Sequence, residues 1–151
     1  MAKHQEREMA DVQRRVMLAV GALSNRLYRV SGGRVMGKVR GVPVLLLTVA
    51  GRKSGVEHTT AVSYFKDGEG FVVTGSAGGS ASEPQWFRNL RHADRAVVEV
   101  GPKRMDVTVS VAGADEHKIL WEKLIAGAPF FAKYQGKVER EIPMAVLTPV
   151  G

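Results

Sequence analysis

The sequence predicts a mainly β, α+β fold: a small antiparallel barrel with an N-terminal amphipathic helix and two or three peripheral helices. Three observations carry this prediction. Past Gly32-Gly33 the chain breaks into short runs of β-forming residues. Two pairs of these runs are joined by hairpin-type turns rather than by long crossovers. Helical periodicity is confined to the N-terminal stretch and two later segments.

The N-terminal stretch comes first. Met9, Val12, Val16, Ala19, Val20, Leu23, Leu27 and Val30 recur at three- and four-residue spacing and form one stripe of a long helix. Arg14, Arg15, Arg26 and Arg29 fall mostly off that stripe, and Gly32-Gly33 stops the helix. Such stripes usually pack on their own domain; the alternative is a basic amphipathic segment that meets a membrane surface or covers a binding site. Residues 1–33 therefore read as a helical extension and 34–151 as the barrel domain.

Val44–Ala50 is almost wholly apolar, as in a strand buried on both faces. Thr59–Phe65 is rich in β-formers, and Lys66-Asp67-Gly68-Glu69-Gly70 turns the chain into Phe71–Thr74. Gly101-Pro102-Lys103 joins Ala96–Val100 to Met105–Val111, and Ile142–Val150 supplies a last strand with Pro143 near its start. Glu83–His92 predicts a helix with Pro84 in its first turn, and Ala114–Ala126 a second with Asp115 and Glu116 at its positive end.

Composition narrows the chemistry. The 151 residues carry 22 Lys and Arg against 15 Asp and Glu, a net charge of +7, so an anionic partner is favoured. The absence of cysteine excludes disulfides, thiolate catalysis and iron–sulfur clusters. The longest apolar run, Val42–Leu47, is far shorter than the roughly 20 residues that span a bilayer. The charged N-terminus has no signal-peptide core, so the protein is expected in the cytoplasm.

Three segments can hold chemistry. In Thr48-Val49-Ala50-Gly51-Arg52-Lys53-Ser54-Gly55 a buried strand delivers two cations and a hydroxyl into a turn framed by glycines. Backbone N–H groups there can form an anion nest, although the spacing is not that of a Walker loop; an ordinary solvated turn fits the composition as well. Thr74–Ser82 has almost no side-chain bulk, so a flat ligand could lie against its backbone, or it is a flexible linker. Trp86 and Asn89 follow on one face of the next helix. Ala128–Gln135 concentrates aromatics beside a proline, either as a pocket wall or as a short helix closing the core. The histidines His4, His58, His92 and His117 lack metal-ligand spacing, and no Gly-x-Ser-x-Gly elbow occurs. An enzyme built on this chain would rely on a bound cofactor for its reactive atom.

In their order, Leu46-Leu47-Thr48, Gly51-Arg52-Lys53-Ser54-Gly55, Thr59-Thr60, Ser76-Ala77-Gly78-Gly79, Pro84-Gln85-Trp86-Phe87-Arg88-Asn89-Leu90, Tyr134-Gln135 and Arg140-Glu141-Ile142-Pro143 resemble the deazaflavin-dependent nitroreductase and quinone reductase family. The resemblance implies a split β-barrel that binds coenzyme F420 and transfers hydride to a small electron acceptor such as a quinone, enone or nitroaromatic. It places the phosphate and anionic tail on Arg52, Lys53 and Ser54, with Leu46, Leu47, Thr48, Gly55 and His58 in the same cofactor site. Ser76, Ala77 and Gly78 would border the ring, and Gln85, Trp86 and Asn89 would line that cleft. Ala128, Phe131 and Tyr134 would form the acceptor pocket, with Ser76 or Tyr134 orienting or protonating the acceptor. Some relatives use the N-terminal end near the membrane; no nucleic-acid partner and no metal are expected.

The chain departs from that family where His58 replaces a usual arginine and Ala61 a frequent proline. Nitroimidazole-activating members have tyrosines at the positions of Ala128 and Phe131 and a lysine at that of Ala77. The acceptor pocket is therefore expected to be less polar. An FMN-dependent split-barrel enzyme and a non-catalytic cofactor- or lipid-binding protein are the competing readings.

Overall fold

The computed structural model describes residues 2–39 and 41–150. Its elements run α1 (Ala2–Ser31), β1 (Lys38–Val39), β2 (Val42–Ala50), β3 (Glu57–Asp67), β4 (Gly70–Thr74), α2 (Gln85–Leu90), β5 (Arg95–Val100), β6 (Lys103–Val111), α3 (Ala114–Gly127), α4 (Phe130–Gly136) and β7 (Met144–Pro149). A 3-10 turn, Ala77–Gly79, lies between β4 and α2. The order is β1-β2-β3-β4-β7-β6-β5, every neighbouring pair is antiparallel, and β2 also pairs with β5. Six strands thus close into a barrel, which removes the open edges of a flat sheet, and β1 is a short addition to β2.

Two-residue alternation decides which side chains fill the barrel. Leu45, Leu47 and Val49 of β2 point inward with Val62, Phe71, Val73, Val98, Val107 and Leu147. Burying each such leucine or phenylalanine contributes roughly 1.5–3 kcal/mol. Phe87 and Leu90 of α2 join this cluster and plug one end of the barrel. The next residue along β4, Val72, faces outward and meets Leu120, Leu124, Ala128 and Phe131 of the α3–α4 region in a second cluster. Burial raises the Tyr64 phenol above its ordinary pKa, and Tyr28 adds to that shift.

The N-terminal helix departs from the commoner expectation for an apolar stripe. Only its last turns dock. Tyr28 is 2% exposed, and its hydroxyl reaches the Val44 and Glu99 carbonyls at 3.0 and 3.1 Å while accepting from Gly101 N–H at 2.8 Å. Asn25 Nδ2 donates to Thr59 O, and Arg29 forms a bidentate pair with Glu99, a carboxylate that the strand alternation alone would leave in solvent. Gly33 terminates the helix at φ +83°; a Cβ there would lie 2.8 Å from Gly101 Cα. Met9, Val12, Val16, Leu23 and Val30 remain exposed. The closed barrel offers no apolar face to a helix of 30 residues, about 45 Å long.

Three boundaries also shift. The first helix begins at Ala2 rather than near Met9, Pro84 caps α2 instead of entering its first turn, and β7 starts after Pro143, whose carbonyl accepts from Gly75 N–H.

Candidate active site

The turn between β2 and β3 is tight. Gly51 N–H donates to Val56 O, and Gly55 N–H to Gly51 O, each at 2.8 Å. Gly55 has φ +73°, a conformation that favours glycine, and a Cβ on Gly51 would stand 2.8 Å from Ser54 Oγ, which would have to rotate away. Ser54 Oγ accepts from Val56 N–H at 3.1 Å. Lys53, Ser54 and Gly55 are exposed, whereas Arg52 is half-buried. Asn89 Oδ1 accepts from both Arg52 N–H (3.1 Å) and Arg52 Nη1 (2.9 Å), fixing one cation from beneath. His58 is exposed on β3 opposite Val49, with its ring against Gly51.

The second feature is a cavity of about 210 Å³ outside the barrel wall. On one side are the small residues Ala61, Ser63, Thr74, Ser76 and Ala77; on the other stand Trp86, Phe130, Phe131 and Tyr134. The aromatics brace one another, with Phe130 and Phe131 stacked at 4.7 Å and Tyr134 edge-on to Phe131 at 5.5 Å. Ser76 is buried and Ala77 takes φ +47°, which turns the chain sharply at the cavity wall. Gly75 lies between this turn and the barrel plug, where a Cβ would meet Phe87 at 2.9 Å and Pro143 at 3.0 Å.

Helix α2 unites the two features. Trp86 faces the cavity and Asn89, three residues on, holds Arg52. Arg91 closes the helix onto Glu83 with contacts of 2.6–3.1 Å. The hydrogen bond it donates to Glu83 raises the Arg91 pKa above the usual arginine value despite some desolvation.

The structure brings Ser76, Ala77, Trp86, Phe131 and Tyr134 to one cavity, and gathers Arg52, Lys53, Ser54, Gly55 and His58 at the neighbouring turn. Gly78 lies within the Ala77–Gly79 turn. Other candidates are placed differently. Leu46 and Leu47 are fully buried, and their backbones pair with both β3 and β5, so neither presents a side chain to the cavity. Thr48 Oγ1 is 2.7 Å from Thr59 Oγ1. Asn89 supports Arg52 and does not line the cavity. Gln85 is exposed at the start of α2, and Ala128 faces a separate cleft with Tyr64 and Leu124. Thr74 and Phe130 enter the cavity from the two segments read as candidate pocket walls, although neither was singled out; Ala61 and Ser63 were not expected there. Ala61 and Ser63 are two apart on an otherwise bulky strand, an alternation that marks one face as open.

A closed antiparallel barrel thus carries a cationic turn and an aromatic-walled cavity, joined by one helix: a split-barrel protein with an anion site beside an apolar one. The model of the family described as F420H(2)-dependent quinone reductase matches residues 22–149. The chain belongs to that family; it is an F420-dependent reductase, and its cofactor is coenzyme F420. An F420H(2)-dependent quinone reductase of Mycobacterium tuberculosis is 31% identical over 141 residues, which span 91% of this chain and 95% of that relative. A solved F420-H2 dependent reductase (FDR-A) is 26% identical with a TM-score of 0.63, covering 70% of this chain and 93% of its own. A structure described as a domain-swapped dimer shares the fold at a TM-score of 0.64 and 24% identity, covering 91% of this chain and 98% of its own. Family membership sets aside the FMN-dependent and non-catalytic readings.

Proposed function

We propose that the acceptor is a quinone or a related planar, electron-poor compound such as an enone, bound against Phe130, Phe131 and Tyr134. Bound and reduced, coenzyme F420 supplies hydride from its ring. The chain's own residues fit that group. Arg52, Lys53 and Ser54 would bind its phosphate and the start of its anionic tail through their side chains, with His58 at the rim. The Ser76–Gly78 turn presents backbone rather than bulk to the ring, and Trp86 borders it. The aromatic wall would shield the ring and the acceptor from water and keep them close, where proximity lowers the barrier to hydride transfer. Ser76 Oγ and Tyr134 Oη orient the acceptor oxygen and donate the proton it needs after reduction.

One observation carries this reading: α2 places Trp86 on the cavity and Asn89 on Arg52 within one helical turn, joining a flat-ring site to an anion site. The test is re-oxidation of reduced F420, followed by its visible absorbance, with a short-chain naphthoquinone, a cyclic enone and a nitroimidazole. Enzyme-dependent re-oxidation by the first two is expected, with Lys53→Ala raising the cofactor Kd about tenfold. Cofactor binding without re-oxidation by either class would overturn the assignment of acceptor.

The exposed face of α1 supports a second reading: this helix rests on an anionic membrane surface. Lys3, Arg7, Arg14, Arg15 and Arg26 outnumber Glu6, Glu8 and Asp11, while Met9, Val12, Val16 and Leu23 form an uncovered stripe. Among the described residues no helix is long and apolar enough to cross a membrane, so this is contact with the surface. Sedimentation with vesicles containing phosphatidylglycerol, weaker with phosphatidylcholine alone and abolished by Val16→Glu with Leu23→Glu, is the expected result. Equal sedimentation of wild type and the double variant overturns it, as does a concentration-dependent dimer that ignores vesicles.

A further inference from the structure

Arg140 lies in the segment between α4 and β7, outside both features of the site. Its guanidinium is spread over the carbonyls of the cavity turn. Nη1 donates to Gly75 O at 3.1 Å, Nη2 to Ser76 O at 3.2 Å and Ser82 O at 3.4 Å, and Ser80 O accepts from both Nε (3.1 Å) and Nη2 (3.0 Å). Among the described residues no carboxylate stands within ion-pair distance of it. Every partner of this cation is a main-chain oxygen of one eight-residue stretch.

That stretch needs an outside support. Gly75-Ser76-Ala77-Gly78-Gly79-Ser80-Ala81-Ser82 has no side chain large enough to anchor it in a core. Its own bonds are few: Gly79 N–H to Ser76 O, Ser80 N–H to Ala77 O and a long contact from Ser82 N–H to Ser80 Oγ. It also holds Ala77 in the left-handed region. Carbonyls of four residues converging on one planar fork match a guanidinium, whose donors are fixed in direction; a lysine ammonium cannot reproduce them.

The backbone of Arg140 is held from the opposite side. Gln135 Nε2 donates to Arg140 O, and Gln135 Oε1 accepts from Ile142 N–H, each at 2.8 Å. Gln135 follows Tyr134 on α4, and Gly79 packs so closely on that helix that a Cβ would lie 3.3 Å from Tyr134 Cα. One residue thus has its main chain fastened to the aromatic wall and its side chain fastened to the small-residue wall.

We propose that Arg140 is a positioning residue for hydride transfer: its guanidinium fixes the Gly75–Ser82 turn and, with Gln135, sets the separation of that turn from Phe131 and Tyr134. The claim that this matters for catalysis rests on the reading that the cofactor ring lies on this turn. The fixing of the turn stands on the hydrogen bonds alone.

The two are separated by measuring amide exchange in cofactor-free protein beside cofactor binding and turnover. In Arg140→Lys, amides of residues 75–82 are expected to exchange about tenfold faster while strands of the barrel keep their wild-type rates. The cofactor Kd should rise roughly five- to tenfold, and single-turnover hydride transfer should slow more than the acceptor KM changes. Gln135→Ala should show the same pattern, and the double variant should be little worse than either single one, because both act on one strut. Unchanged exchange in 75–82 overturns the proposal, as does faster exchange spread evenly over the whole chain. Local exchange as expected, in a protein whose wild type does not bind F420, supports the strut and overturns the cofactor reading instead.

Discussion

Asn89 Oδ1 accepts two hydrogen bonds from Arg52, one from its backbone N–H and one from its guanidinium, at 3.1 and 2.9 Å. Asn89 is 7% exposed, so the barrel plug directly supports the half-buried cation of Arg52. Asn89→Ala leaves the Arg52 N–H without its partner and releases the side chain. Stability should fall by about 1–3 kcal/mol and cofactor Kd should rise about tenfold. Asn89→Asp is informative because its carboxylate still holds Arg52 but neutralises the charge. Thermal unfolding should then stay near wild type while cofactor affinity drops; equal affinity in both variants and wild type would separate Asn89 from the anion site.

Gly75→Ala tests the wall of the cavity. Its Cβ would press on Phe87 Cδ2 at 2.9 Å and Pro143 Cγ at 3.0 Å, neither of which is the end of a flexible chain. Overpacking of this kind costs about 1–3 kcal/mol. The displacement falls on Ser76, so quenching of Trp86 fluorescence by F420 should need a higher cofactor concentration. Wild-type binding in a destabilised variant would show that the ring does not use this turn.

Tyr134→Phe keeps the aromatic wall and removes one hydroxyl. Turnover with a quinone is expected to slow about ten- to a hundredfold, as when an acid or orienting group is lost, while the cofactor Kd changes little. The comparison of kcat with Kd decides the matter: a weakened Kd at unchanged kcat would move Tyr134 to the cofactor side.

Tyr28→Phe concerns the junction of α1 with the barrel. The hydroxyl serves the Gly101 N–H and reaches two carbonyls in a site that is 2% exposed. Losing it should cost about 2 kcal/mol and lower Tm by roughly 4–8 °C. Cofactor affinity should be unchanged, since no atom of Tyr28 lines the cavity.

Much of the fold is legible before any coordinates. Gly55 marks the turn because its positive φ favours glycine, and Gly51 because a Cβ would crowd the Ser54 hydroxyl; both constraints act within a few residues. The nearly continuous apolar run of Val44–Ala50 likewise reports burial on both faces, and all its residues through Val49 are buried. The site is less legible. Ala128 and Phe131 lie three apart beside one proline, yet Phe131 enters the aromatic cavity and Ala128 a neighbouring cleft. Asn89 reads as a ligand residue from its place after Trp86, but its side chain faces Arg52, 37 positions away.

Local chemistry therefore settled the kinds of element, the two hairpin turns, the cationic bend and the exclusion of thiol chemistry, because each depends on residues adjacent in the chain. Closure of β2 onto β5, the pairing of Glu99 with Arg29 and the convergence of Arg140 on the Gly75–Ser82 carbonyls were decided only by the tertiary structure. Their partners are brought together by barrel closure, and no local propensity encodes that distance. The apolar stripe of α1 shows the division most clearly: its periodicity made it a helix, but whether anything covers that face depended on a barrel that had already buried its own apolar surface.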